Sequence, residues 1–310
     1  MIDPLAAAAG IGLLGPVLAG PSLARALGTL AARARRRVEW GIILAAVGLA
    51  IAGDVLQDGP GVGGALIYVV AALPGLITFL VWRSQLASAV VSMAPMYFVV
   101  SILTRERATH QPALALDGVI PLHPAWMLVY GSLYVFVIVL PLLVVRDRAL
   151  IRRALQGYLL VMALSYAIFL VYPTSAPRPD AIGDAGFAAW TLRILYSLDP
   201  PYNCFPSLHV AYAFVSALAC LRVHRGVGAA AVAWAALIGV STLFTKQHYA
   251  ADVVAGTAAA SLAYVLFLRA RPDEPVPEHD RRRAPARALG AVGVFAIMIA
   301  GFAVAYHFES

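Results

Sequence analysis

Charge is what this chain has least of. Charged residues make up 13% of its 310 positions and hydrophobic ones 61%, where a soluble domain carries about a quarter charged. That imbalance excludes a large water-soluble core and leaves a membrane protein. Cysteine is nearly missing as well. Cys204 and Cys220 would stand about 24 Å apart on a helix, which excludes a disulfide between them, and no cysteine spacing suggests zinc. Lysine occurs once, as Lys246, among 23 basic residues. No basic region precedes the first apolar run, Pro4–Gly20, so no removable secretory signal is read there. Internal repeats are not evident.

What is present is a series of apolar runs punctuated by arginine. The net charge of +7 sits in clusters beside those runs: Arg33, Arg35, Arg36 and Arg37; Arg146, Arg148, Arg152 and Arg153; Arg222 and Arg225; Arg269, Arg271, Arg281, Arg282 and Arg283. This is the positive-inside pattern of cytoplasmic loops rather than a nucleic-acid arm. The reading is an all-α integral membrane protein of about ten transmembrane helices: Pro4–Gly20, Val38–Gly53, Val62–Trp82, Leu86–Leu103, Ala125–Val145, Ala154–Tyr172, Pro206–Leu221, Val227–Thr245, Ala250–Leu268 and Leu289–Phe308. Alternating them across a bilayer puts every strong arginine cluster on one side, with Arg105 and Arg107 as the exception.

These spans imply four regions. Residues 1–85 are accessory helices, 86–268 a six-helix core, 269–288 a basic cytoplasmic linker and 289–310 a last membrane helix. Two long loops, about 104–124 and 173–205, then face away from the cytoplasm. The second holds Phe187, Trp190, Leu192, Ile194 and Leu195, enough for a short amphipathic helix.

Three segments place polar groups at that outer membrane edge, where each is costly and needs a reason. In Tyr172-Pro-Thr-Ser-Ala-Pro-Arg-Pro-Asp180, Arg178 stands between Pro177 and Pro179, which restrict the backbone on both sides. A rigidly mounted guanidinium suits phosphate; an arginine touching lipid headgroups is the plainer alternative. In Asn203-Cys-Phe-Pro-Ser-Leu-His209, Pro206 suits a helix start. The N–H groups of Ser207 and Leu208 would then form an anion site, with His209 able to protonate a leaving oxygen. A serine cap followed by an interfacial histidine is the alternative. In Ser241-Thr-Leu-Phe-Thr-Lys-Gln-His248-Tyr-Ala-Ala-Asp252, His248 and Asp252 are four apart and share one face if a helix begins there. A carboxylate holding one ring nitrogen leaves the other as a nucleophile. Lys246 reads as a phosphate clamp; a structural His–Asp pair is the alternative. His123, Trp126 and Tyr130 read as groups of the membrane interface, and His224 as a solvated loop residue.

Together the three segments resemble the type 2 phosphatidic acid phosphatase superfamily, whose signature is Lys-x6-Arg-Pro, Pro-Ser-x-His and Ser-Arg-x5-His-x3-Asp. Arg178-Pro179 matches the end of the first, Pro206-Ser207-Leu208-His209 the second, and Ser241, His248 and Asp252 the third. Val171 stands where the signature has lysine and Thr242 where it has arginine. Tyr-Pro-x3-Pro-Arg-Pro, Phe-Pro-Ser-Leu-His and His-Tyr-x2-Asp look instead like the branch containing fungal inositol phosphorylceramide synthase. The resemblance implies that the 86–268 core is catalytic, with a phosphohistidine-type intermediate, no metal and no cofactor.

The function expected is a phosphotransferase at the extracytoplasmic face of the cell membrane. His248 is the nucleophile, Asp252 orients it and His209 is the acid and base. Arg178, Lys246, Ser207 and Leu208 bind the phosphate of a lipid-linked substrate. An acceptor alcohol or water takes the phospho group, so a lipid phosphate phosphatase is the alternative; a non-catalytic lipid transporter is a third reading.

Overall fold

The computed structural model describes residues 90, 97, 100, 103–104, 107–179, 181–182, 186–199, 201–269 and 276–309. The chain divides into two compact units, Met1–Ile102 and Leu103–Ser310, and the second holds nearly all of the described residues. The spans read at Pro4–Gly20, Val38–Gly53 and Val62–Trp82, and nearly all of Leu86–Leu103, lie outside the described residues.

Among the described residues the architecture is helical, with no strand. A short α1 (Ala115–Val119) precedes α2 (Pro124–Val144), α3 (Arg148–Val171), α4 (Phe187–Leu198), α5 (Leu208–Val223), α6 (Arg225–Phe244), α7 (Ala250–Leu268) and α8 (Glu278–Glu309). Five of these, α2, α3, α6, α7 and α8, are long and apolar enough to cross a membrane, and α5 is a shorter apolar helix. The starts reflect local chemistry. Asp147 accepts a hydrogen bond from the Leu150 amide at 2.7 Å to open α3. Ser207 Oγ accepts from Val210 at 3.3 Å to open α5. His224 Nδ1 accepts from Val227 at 3.2 Å to open α6, so this histidine is a helix cap rather than a merely solvated loop group.

Two boundaries differ from the sequence reading. α3 begins at Arg148 rather than Ala154, because Asp147 caps it and arginine is a good helix former. α8 begins at Glu278 rather than Leu289. The stretch read as a linker is therefore helical from Glu278, with Arg282 paired to Glu278 one turn away at 2.9 Å and Arg287 to Asp280 at 2.8 Å. The amphipathic helix expected in the 173–205 loop is α4, whose Ala189, Leu192 and Leu195 are buried.

α5 is the central helix, in contact with α2, α3, α6 and α7. Small side chains allow that: Ala213, Ala217, Ala231 and Ala235 are all buried in one core, and small residues let membrane helices approach closely. Where α2 loosens into a π-helical turn at Val135–Val139, ahead of Pro141, neighbouring helices supply donors. Ser216 Oγ donates to the Phe136 carbonyl at 2.8 Å and Tyr158 Oη to that of Val137 at 3.2 Å, as carbonyls released in an apolar setting require.

The alternation of helices sorts the ends of the bundle. α3 begins and α5 ends in arginine-rich sequence, as α6 begins and α7 ends. The opposite end collects Pro173–Arg178, Asn203–His209 and Thr245–Asp252, from the three polar segments.

Gly256 of α7 holds two of those segments together. A Cβ there would lie 2.4 Å from the Ser207 carbonyl oxygen, whereas one at Gly293 of α8 meets nothing within 4 Å. Gly256→Ala is therefore expected to cost about 1–3 kcal/mol, read as a lower midpoint of thermal unfolding in detergent. Gly293→Ala should leave the midpoint unchanged or raise it slightly.

Candidate active site

The third segment is delivered by the end of α6. Thr245 Oγ1 turns back to the Ser241 carbonyl at 2.8 Å, and Lys246 adopts a left-handed backbone, φ 53°, which stops the helix. The Thr242 carbonyl then accepts from the amides of both Gln247, at 3.0 Å, and His248, at 3.3 Å. That turn points two polar side chains inward: Gln247 is 3% exposed and His248 5%.

His248 lies just before α7, which begins at Ala250. The pair with Asp252 thus arises from a helix cap rather than from two residues on one helical face. Asp252, fully buried, reaches back so that Oδ2 accepts from the Tyr249 amide at 2.9 Å and meets His248 Nδ1 at 3.2 Å. Its carbonyl accepts from the Ser207 amide at 3.1 Å, which fixes the start of α5 against the start of α7.

From there the polar contacts run in a line. His248 Nε2 meets His209 Nδ1 at 3.0 Å, and His209 Nε2 meets the Tyr130 hydroxyl at 3.0 Å. With Asp252 ionised the tautomers are assigned by elimination. His248 carries its proton on Nδ1 and donates to Asp252, so its Nε2 offers a lone pair, and His209 donates to it through Nδ1. Neutral His209 then accepts from Tyr130 through Nε2. Tyr130 is fully buried in the protein, not the membrane-interface anchor that its sequence position suggested.

Arg178 is held through both terminal nitrogens. Nη1 donates to the carbonyls of Asp199 at 2.8 Å and Tyr196 at 3.3 Å, Nη2 donates to Gln247 Oε1 at 2.5 Å, and the Asp199 carboxylate is 3.8 Å away. The guanidinium also lies over the Tyr196 ring, 4.4 Å from its centroid. The Tyr196 hydroxyl donates to the Thr245 carbonyl at 2.7 Å, closing a ring between α4 and the turn after α6. Burial raises the Tyr196 hydroxyl to about 12, with Arg178 pulling the other way, so it remains a donor at neutral pH.

Of the expected phosphate ligands, Lys246 is engaged elsewhere. Its ammonium donates to the Ile120 carbonyl at 2.6 Å and that of Asp117 at 3.3 Å. Asp117 in turn accepts from the Ala250 amide at 2.8 Å. Lys246 thus braces the 114–120 segment against the start of α7. Ser207 also differs from expectation, since its amide serves Asp252 and its hydroxyl caps α5. Of the two expected amides, that of Leu208 remains, in the first turn of a helix where N–H groups have no intrahelical acceptor. The two departures from the signature have a structural basis. Val171 is 77% exposed, pointing out of the site. Thr242 is fully buried, with its hydroxyl on the Gly239 carbonyl at 2.7 Å.

The first and second segments are tied by Thr174. Its hydroxyl accepts from the amides of Cys204 at 2.8 Å and Phe205 at 3.1 Å, while its carbonyl accepts from Asn203 at 2.9 Å. Asn203 takes a left-handed backbone, φ 61°. Cys204 Sγ, His248 and Asp252 bring possible metal-ligand atoms within 4.8 Å of one another, but His248 and Asp252 already bond each other. Sequence reasoning missed Tyr130, Thr174, Asp117 and Gln247. Only Gln247, next to His248, carried any signal.

The family model described as the PAP2 superfamily matches residues 102–266, just over half of the chain, which therefore belongs to that superfamily. No curated protein and no solved structure matches it.

The Cys204 thiol tests the burial of this site. Burial pushes it well above the ordinary thiol range, the Asp252 and Asp199 carboxylates push the same way and Arg178 opposes them. A thiol raised in this way stays protonated and unreactive at neutral pH. Alkylation of Cys204 by iodoacetamide at pH 8, read by mass spectrometry, should be slow in the folded protein and fast after denaturation. Equal rates would contradict the closed geometry of the site.

Proposed function

We propose that this member of the PAP2 superfamily is a lipid-phosphate phosphotransferase acting through His248 as nucleophile, with transfer to an acceptor alcohol in the manner of inositol phosphorylceramide synthase. The observation that carries the reading is the continuous hydrogen-bonded line from Asp252 through His248 to His209. A carboxylate fixes one nitrogen of the nucleophilic ring, and a second histidine stands 3.0 Å from the other.

The chemistry proceeds in two displacements. His248 Nε2 attacks phosphorus, forming an N–P bond as the bond to the lipid oxygen breaks. His209, in its imidazolium form, gives its Nδ1 proton to that departing oxygen. Asp252 balances the positive charge left on the phosphorylated imidazole. In the second half His209 Nδ1 takes the proton of an acceptor hydroxyl, whose oxygen attacks phosphorus while the N–P bond breaks. Substrate therefore replaces the His209–His248 contact: phosphorus meets Nε2 and the leaving oxygen takes over the Nδ1 proton. The Leu208 amide and Arg178 Nε stabilise the equatorial oxygens.

Burial favours transfer to an alcohol over hydrolysis. His248, Gln247 and Asp252 are almost wholly removed from solvent, so a bound alcohol competes well against bulk water; the phosphatase is the second reading. The arginine-rich ends of α3, α5, α6 and α7 lie opposite the site. Under the positive-inside rule this supports an extracytoplasmic active site in a cell membrane.

The test uses detergent-purified full-length protein with phosphatidate and phosphatidylinositol, each with and without ceramide or inositol. Free phosphate and new lipids are measured together. The expected result is an acceptor-dependent phospholipid, reduced to background in His248→Ala and by about 10²–10⁴-fold in His209→Ala. Phosphate release without acceptor, lost in both variants, would make the protein a phosphatase. Turnover that survives His248→Ala would overturn the mechanism.

A further inference from the structure

Two buried donors in the site have no acceptor among the described residues: Arg178 Nε and Gln247 Nε2. The orientation of the Gln247 amide is not arbitrary. A guanidinium only donates, so the oxygen Oε1 must face Arg178 Nη2, and the NH2 group is turned elsewhere. Buried polar groups in folded proteins are almost always paired. Two unpaired donors on side chains that are themselves linked, Arg178 Nη2 donating to Gln247 Oε1 at 2.5 Å, with Gln247 beside His248 in the chain, are the mark of an anionic ligand.

The charge around those donors is low. Arg178 is partly neutralised by Asp199, 3.8 Å away, and Lys246 is committed to backbone carbonyls. Position 171 is an outward valine and position 242 a buried threonine. The remaining oxygen of the nucleophile's carboxylate, Asp252 Oδ1, is also buried and unpaired. An unpaired acceptor repels a second negative charge on the substrate.

We propose that Gln247 is a substrate-binding residue. Its amide nitrogen and Arg178 Nε donate together to one phosphate oxygen, which fits the site to a monoanionic phosphodiester rather than a dianionic phosphomonoester. This rests on the phosphate site of the proposed transferase and names the substrate charge it selects. A neutral amide supplies a hydrogen bond without adding a charge. Replacing it by a cation or an anion moves the preference in opposite directions.

Equilibrium binding tests this apart from turnover. Short-chain phosphatidylmethanol, a diester, and short-chain phosphatidate are titrated calorimetrically into the full-length protein in detergent at pH 8, in the His248→Ala background so that nothing is consumed. The diester should bind more tightly. Gln247→Glu, close in size and still able to accept from Arg178, should weaken the diester by about tenfold or more, the scale of a lost hydrogen bond to a charged group. Gln247→Lys should shift preference toward phosphatidate. Thermal unfolding of each variant identifies any that fails to fold. Tighter binding of phosphatidate by the parent protein, or a diester affinity unchanged in folded Gln247→Glu, would overturn the proposal. Diester binding that depends on Gln247, in a protein that shows no turnover before His248 is replaced, would sink the catalytic reading and leave this one standing.

Discussion

Asp252 makes three attachments from one buried residue, and the site is assembled around them. One carboxylate oxygen holds both the Tyr249 amide and His248, while the backbone carbonyl takes the Ser207 amide. The first contact starts α7, the second orients the His248 ring, and the third docks the start of α5 with His209 two residues further on. A carboxylate in so enclosed a place is costly unless several donors compensate it. The same donors that make the charge tolerable are those that set the two histidines in line.

A second constraint is closeness of backbones. Ser207 reaches Asp252 only because α7 presents Gly256, a residue without a side chain, to the Ser207 carbonyl. Alanines along α5 and α6 extend that close packing toward the arginine-rich end. Small-residue packing is how helices associate where lipid offers no hydrophobic drive. Here it also sets the spacing between His209 on α5 and His248 in the turn before α7.

Much of this was legible in the sequence, for identifiable reasons. The apolar runs gave α2, α3, α5, α6, α7 and α8 because bilayer thickness sets a minimum length. Arginine clusters sorted the ends. His248 and Asp252 were found by their spacing, Arg178 by its flanking prolines and His209 by its place in the turn after Pro206, and they do converge. The reason behind one spacing was different: His248 and Asp252 meet through a helix cap, which also accommodates four residues. Lys246 and the Ser207 amide were assigned to phosphate from proximity in the chain, and proximity says nothing about which carbonyl captures a donor. Tyr130 was out of reach, since an aromatic near a helix start has an ordinary explanation and its contact with His209 joins residues 79 positions apart. Thr174 shares that difficulty, because its role depends on backbone amides from another segment.

The hydroxyl at the far end of the line has a property that neither an amide nor a carboxylate would bring. In the resting tautomer, with its proton on Nδ1, His209 accepts from Tyr130 through Nε2; as an imidazolium, or as the neutral ring left once the Nδ1 proton has gone, it donates from Nε2 and the phenol oxygen accepts. The heavy atoms need not move in either case. In the proposed cycle, where the His209 ring alternates between two charge states, a phenol pairs with the ring in each of its forms, and no side chain has to be rebuilt between one half of the reaction and the next.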